Sequence, residues 1–110
     1  MKTIINLYDS NDIIATSEVK FNPTSLIECY LNFIDNPQDY VLTVTVFNDR
    51  VGHTSYIIGN GLESEWHVIV TDEWFYPTGL DLDTKAEVME YLKDCIKTDI
   101  EIDEADRVWT

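Results

Sequence analysis

The 110-residue sequence has little cysteine, the residue on which zinc ribbons and dithiol redox sites depend. It contains only two cysteines, Cys29 and Cys95, and they form no CxxC pair. This excludes a zinc ribbon and thioredoxin-like redox chemistry. Two isolated thiols, each in a segment with the periodicity of an amphipathic helix, are also poor evidence for a disulfide framework. We therefore expect both cysteines to be reduced and buried.

Catalytic motifs are also missing. The four glycines all lie in predicted turns, so no glycine-rich loop is present to hold a phosphate group, and no serine-nucleophile motif occurs. The series Asp99, Glu101, Asp103 resembles the start of a calcium loop, but Glu104 and Thr110 replace the glycine and glutamate that an EF-hand requires. Close carboxylate pairs are inevitable among twenty-one acids and do not by themselves indicate acid–base catalysis. We predict no enzyme activity and no cofactor.

The two histidines are the remaining candidate metal ligands. His53 and His67 lie in predicted strands on either side of a turn at Asn60 and Gly61, so a hairpin could bring them together. They lack the HxH or HxxxH spacing of many metal sites, and cross-strand or surface histidines are the favoured interpretation. We predict no metal site.

Long hydrophobic runs are absent as well. The longest apolar stretches are a few residues, whereas a membrane-spanning helix needs about 20. The first residues include Asp9 and Asp12 and do not combine a basic start with an apolar run, as a secretory signal would. We expect a cytoplasmic protein that does not cross a membrane.

Basic residues are scarce: seven Lys and Arg stand against twenty-one Asp and Glu, which gives a net charge of −14. Such a surface repels nucleic acid and accelerates encounters with cationic surfaces. Solubility alone is the alternative explanation. We predict a basic protein as the partner and no direct binding of nucleic acid.

Apolar residues are plentiful, at 45% of the chain, so one hydrophobic core is feasible at this length. β-branched and alternating patterns predict strands at 3–8, 13–19, 40–47, 53–59 and 66–71. In 40–47, Leu42, Val44 and Val46 are predicted on one face, and Thr43 and Thr45 on the other. A further edge strand is a candidate at 73–76, and a short last strand at 107–110 would place Trp109 in the core. We predict a single α+β domain over residues 1–110, with two helices packed on an antiparallel meander.

The two helices are predicted at 25–34 and 84–97. Each begins with the spacing of a capping box, Ser25 with Glu28 and Thr84 with Glu87. Apolar residues then recur at helical spacing, as expected for helices with one buried face.

Two acidic clusters are the candidate binding surface. The first has carboxylates on either side of an aromatic run, and its members are Asp72, Glu73, Trp74, Phe75, Tyr76, Asp81 and Asp83. The second contains no Lys or Arg, and its members are Asp99, Glu101, Asp103, Glu104 and Asp106. Aromatic anchors bordered by carboxylates suit a basic protein surface, since apolar burial supplies affinity and charge accelerates encounter. Alternatively, the aromatic residues fill the core and the acids are its solvated edge.

The order of elements resembles that of the small acidic immunity proteins of bacterial polymorphic toxin systems. The particular resemblance is to an immunity family that protects against deaminase and nuclease toxins. In that family a helix like 84–97 precedes a short terminal segment containing Val or Leu and then Trp, to which Val108 and Trp109 are similar. The likeness covers the last third of the chain, and the acidic run 103–106 replaces an expected Arg-Pro.

The resemblance implies an inhibitor that covers the basic, nucleic-acid-binding cleft of a toxin. The alternative is a phage-type DNA mimic that blocks a host nuclease. A mimic requires acids in a stripe along an elongated face, whereas an immunity protein requires an acidic patch with an apolar centre.

Overall fold

A computed structural model describes residues 1–9, 12–20, 22–35, 38–48, 52–59, 66–72 and 78–109, with the backbone alone at Asp72, Asp99 and 102–109. Within these residues the chain forms six strands and two helices. Their bounds, in chain order, are β1 Lys2–Asp9, β2 Asp12–Val19, α1 Thr24–Phe33, β3 Tyr40–Asn48, β4 Gly52–Gly59, β5 Trp66–Asp72, β6 Thr78–Leu82 and α2 Lys85–Trp109.

The strands form one antiparallel sheet in the order β2-β1-β3-β4-β5-β6. β3 to β6 are a meander, and the β1–β2 hairpin joins it through pairing of β1 with β3, from Lys2 opposite Phe47 to Asp9 opposite Tyr40. Both helices pack against the sheet and against each other. The predicted α+β class and the antiparallel meander with two helices are confirmed.

The core lies between the helices and one face of the sheet. Strand alternation directs Leu42, Val44 and Val46 toward the helices, and all three are buried. Helix α1 contributes Ile27 and Leu31. Helix α2 contributes a stripe of apolar residues at helical spacing: Val88, Met89, Leu92 and Ile96.

The two helix starts differ. At α2, the Thr84 hydroxyl accepts the Glu87 amide at 3.2 Å, and the Glu87 carboxylate accepts the Asp83 amide at 3.4 Å. This confirms the Thr84 cap. The predicted Ser25 cap is wrong: α1 begins at Thr24, its N-cap residue is Pro23, and no side-chain cap bond is formed.

The predicted last strand is also wrong. The backbone of 107–109 continues helix α2. No proline or glycine interrupts the chain after Thr84, so nothing in the sequence stops the helix near Lys97. The predicted position of the Trp109 side chain lies outside the described residues.

Among the described residues, β6 is the edge strand next to β5. Residues 73–76 lie outside the described residues, and the strand that pairs with β5 is β6, with Gly79 opposite Ile69. Gly79 was expected to stop a strand but lies inside one. A Cβ at this position would lie 3.3 Å from Cε1 of His67, so the His67 ring uses the space that the glycine leaves.

Candidate functional site

The predicted site residues do not form one surface. Asp81 is exposed on β6 and Asp83 is exposed just before α2, whereas Glu101 is exposed on the second half of α2. At a rise of about 1.5 Å per residue, Glu101 lies roughly 24 Å along the helix from Lys85. Asp83 of the first cluster and Glu101 of the second therefore lie near opposite ends of α2, and Asp72 lies at the other end of the β5–β6 ladder from Asp81.

Several members of the clusters have undescribed side chains. Asp72 is the last residue of β5. Helix α2 includes the backbone of Asp99, Asp103, Glu104 and Asp106. Glu73, Trp74, Phe75 and Tyr76 lie outside the described residues. The predicted aromatic anchor at Trp74 therefore stays a prediction.

The larger feature is a face of the sheet on which no described element packs, here called the open face. Its side chains alternate along the strands with those of the core. They are Lys2, Ile4, Asn6, Tyr8, Ile13, Thr16, Glu18, Val41, Thr43, Thr45, Phe47, His53, Ser55, Ile57, His67, Ile69, Thr71 and Asp81, with Gly79 among them. Thr43 and Thr45 were expected to point away from the core, but the extent of the face needs the strand order, which the sequence does not supply.

The centre of the open face carries no formal charge. Thr45 and Ser55 are cross-strand neighbours with their hydroxyl oxygens 3.2 Å apart. Thr43 lies opposite Ile57, and Ile57 lies opposite Ile69. The hydroxyl-bearing side chains of β3 are therefore followed by aliphatic side chains on β4 and β5. Small hydroxyl and aliphatic groups can be desolvated at much lower cost than carboxylates.

Charged side chains lie only at the margins of this face among the described residues. Glu18 is on edge strand β2, and Asp81 is on edge strand β6. At one corner the Lys2 ammonium lies 5.2 Å from the centroid of the Phe47 ring, within cation–π range. The open face is thus an uncharged surface with a charged border.

His67 and Asp81 form a cross-strand pair at the β6 margin, with Nδ1 and Oδ1 2.6 Å apart. This contact fixes the orientation of the imidazole ring above Gly79. Asp81 was predicted as a binding residue from its charge, whereas the role of His67 as its partner follows only from the strand register.

The two histidines do not meet. Strands β4 and β5 pair from Thr54 opposite Asp72 to Ile58 opposite Val68, and His53 and His67 lie toward opposite ends of this ladder. At about 3.4 Å per residue, the ladder between them is roughly 14 Å long. The hairpin that could have brought them together does not do so, and no group of three or more metal-ligating side chains is found among the described residues.

A second apolar feature lies on the helix-covered side, where edge strand β2 and helix α1 border a groove of about 400 Å³. This β2–α1 groove is lined by Leu7, Ile14, Ala15, Leu26, Cys29, Tyr30 and Phe33. Ile14 is 47% exposed and Phe33 is 56% exposed. The expectation that both cysteines are buried is wrong: Cys29 is exposed, because this position of α1 faces the groove rather than the core, and Cys95 on α2 is only partly buried.

Most of the described acids of the helical layer lie on α2. Glu87, Glu90, Asp94 and Glu101 are all exposed, and their helical spacing places them on the side opposite the buried stripe. On the same helix, burial and then the neighbouring Cys95 raise the pKa of Tyr91.

Within the described residues, no helix is long and apolar enough to cross a membrane. Searches of protein-family models, of curated proteins and of solved structures gave no match to this chain.

Proposed function

We propose that this protein is an inhibitor of the immunity type, which binds a basic protein acting on nucleic acid and covers its active-site cleft. The observation that carries the proposal is the open face, whose centre is uncharged although the domain has a net charge of −14. A charge that served only solubility would be expected on a solvated sheet face as well. Its restriction to the borders favours a face used for contact.

Contact and attraction are separate roles in this proposal. Thr43, Ile57 and Ile69 would be buried against the partner, where exclusion of water and close packing supply affinity. Glu18 and Asp81 at the margins, together with the acids of α2, would act mainly through long-range attraction. That attraction extends over a Debye length of about 8 Å at physiological ionic strength, so it governs the association rate.

A DNA mimic is the second candidate, because Glu87, Glu90, Asp94 and Glu101 form a row along one side of α2. Lys93 and Lys97 lie between them in the sequence and are also exposed. Alternating signs are typical of a solvated helix face and poorly imitate a phosphate backbone. The row therefore supports the mimic less than the open face supports the inhibitor.

The test requires the partner, obtained by pull-down from the source cell or from a neighbouring gene. One equivalent of the protein should abolish the partner's activity on nucleic acid. The association rate should fall at least tenfold between 50 and 500 mM salt, in proportion to the loss of electrostatic steering. Neutralising Asp103, Glu104 and Asp106 together should lower the association rate more than it raises the dissociation rate.

Two variants with the same change of charge separate the candidates. Thr43→Arg places a cation at the centre of the open face, and Thr98→Arg places one on the exposed side of α2. The inhibitor predicts that Thr43→Arg weakens binding at least a hundredfold while Thr98→Arg changes it less than fivefold. The mimic predicts the reverse order. Ser55→Lys on the neighbouring strand provides a second open-face variant, and the denaturation midpoint of each protein reports whether it is folded.

The proposal would be abandoned if the partner's activity survived saturation with the protein. Association indifferent to both salt and the triple neutralisation would leave solubility as the reason for the charge.

A further inference from the structure

The free edge of β2 is a second candidate binding surface. β2 pairs with β1 on one side, and in the described part of the chain no strand pairs with its other side. An edge of this kind exposes backbone N–H and C=O groups that another extended chain can pair with. The ladder with β1 is regular from Ala15 to Val19, and the register shift lies next to it, at Ile14.

The β2–α1 groove runs beside this edge. Its lining is almost entirely apolar, and Ile14 and Phe33 leave about half of their surface exposed. The Ser17 and Tyr30 hydroxyls lie 2.7 Å apart and join β2 to α1. A strand added to β2 would direct alternate side chains toward this groove, because side chains of a strand alternate between the two faces of its sheet.

The negative charge of β2 and α1 favours a basic segment as the added strand. The described residues of β2 and α1 include Asp12, Glu18 and Glu28, all exposed, and neither element contains Lys or Arg. Asp12 also lies directly opposite Asp9 in the ladder with β1, a like-charge pair that a cation would relieve. A second copy of this chain would bring the same negative charge to the edge.

We propose that the free edge of β2 binds an extended segment of a basic protein as a seventh strand. Its apolar side chains would lie in the β2–α1 groove, its alternating Lys or Arg would lie on the opposite face of the sheet beside Glu18, and a basic residue at its end would lie beside Asp12. This inference uses a surface other than the open face, and it stands or falls independently of the inhibitor assignment.

A library of random twelve-residue peptides displayed on phage is the probe. Selection against the full-length protein should enrich peptides in which apolar residues alternate with Lys or Arg and proline is rare. The best peptide, synthesised, should bind at least tenfold more weakly to the Ile14→Ser variant. The matched control is Ile13→Ser: Ile13 is 57% exposed but lies on the open face opposite Tyr8, and its loss should change binding less than twofold.

N-methylation of the peptide backbone tests the added strand itself. Methyl groups on one alternate set of amides should abolish binding, whereas methyl groups on the other set should be tolerated, because only one edge of the peptide faces β2. Hydrogen exchange of the β2 amides should slow when the peptide binds.

Several results would overturn the proposal. The selection could yield no binder, or only peptides without alternating apolar residues. The two methylation sets could weaken peptide binding equally. The Ile13→Ser and Ile14→Ser variants could also bind the peptide equally well. Slow exchange of the β2 amides in a concentration-dependent dimer, without peptide, would show that a second copy covers the edge.

Discussion

The two faces of the sheet are built from the same strands but have different chemistry. On the covered face, buried Leu, Val and Ile fill the space beneath the helices, and on the open face hydroxyl groups lie beside aliphatic side chains such as Ile57 and Ile69. β-branched residues suit both faces, so strand propensity does not distinguish them. The side chains of the covered face are buried within the chain and stabilise the fold, whereas the centre of the open face is uncharged and no described element covers it.

The largest expected difference in stability between the two faces comes from two neighbouring residues of β4. Ile58→Ala removes a fully buried side chain from the covered face and should cost about 4 kcal/mol, because the core can only partly collapse around the cavity. Ile57→Ala removes the same atoms from the open face and should cost about 1 kcal/mol. Chemical denaturation of both variants checks this. Equal losses would mean that the open face is packed as a core.

A second test uses threonine on each face. Thr3 is fully buried on β1, and its hydroxyl has no hydrogen-bond partner among the described residues. Replacing it with valine should stabilise the protein by about 1 kcal/mol, since an unpaired buried hydroxyl is costly. Thr45→Val, at the hydroxyl pair of the open face, should leave the free energy of unfolding within about 0.5 kcal/mol of its original value. Thermal denaturation measures both, and a destabilising Thr3→Val would contradict the assignment.

The smallest expected effects concern the starts of the two helices that cover one face of the sheet. Thr84→Ala removes the hydroxyl that caps α2 and should lower the free energy of unfolding by about 1 kcal/mol. Ser25→Ala is the control, because the described start of α1 has no side-chain cap bond, and its effect should be under about 0.5 kcal/mol. Urea titrations at constant pH measure both, and a reversed order would indicate that the Ser25 capping box forms in solution.

The repeating patterns made much of the fold predictable from sequence. Alternation in β3 identified Leu42, Val44 and Val46 as one face, and Thr84 with Glu87 identified the start of α2. The end of α2 was predicted at residue 97, whereas the helix extends to Trp109, and the absence of Pro and Gly after Thr84 was the signal that the prediction did not use.

The candidate site was less accessible to sequence reasoning. Acidic residues such as Asp83 and Glu101 were recognised by charge, but charge does not reveal that these two lie near opposite ends of a helix. The open face depends on which strands are neighbours, and β1 beside β3 is a pairing between distant parts of the chain. Cys29 beside Phe33 on the groove likewise depends on how α1 is rotated against the sheet.

The position of β1 between β2 and β3 has a consequence for the order of folding. The meander from β3 to β6 needs only neighbouring hairpins, whereas β1 reaches β3 by closing a loop that contains β2 and α1. Closing this loop costs conformational entropy before the β1–β3 contacts can stabilise it. We therefore expect this closure to be the slow step of folding. Until it is complete, Val44 lacks its neighbour Ile5, and the unpaired edge of β3 is open to misassociation with other chains.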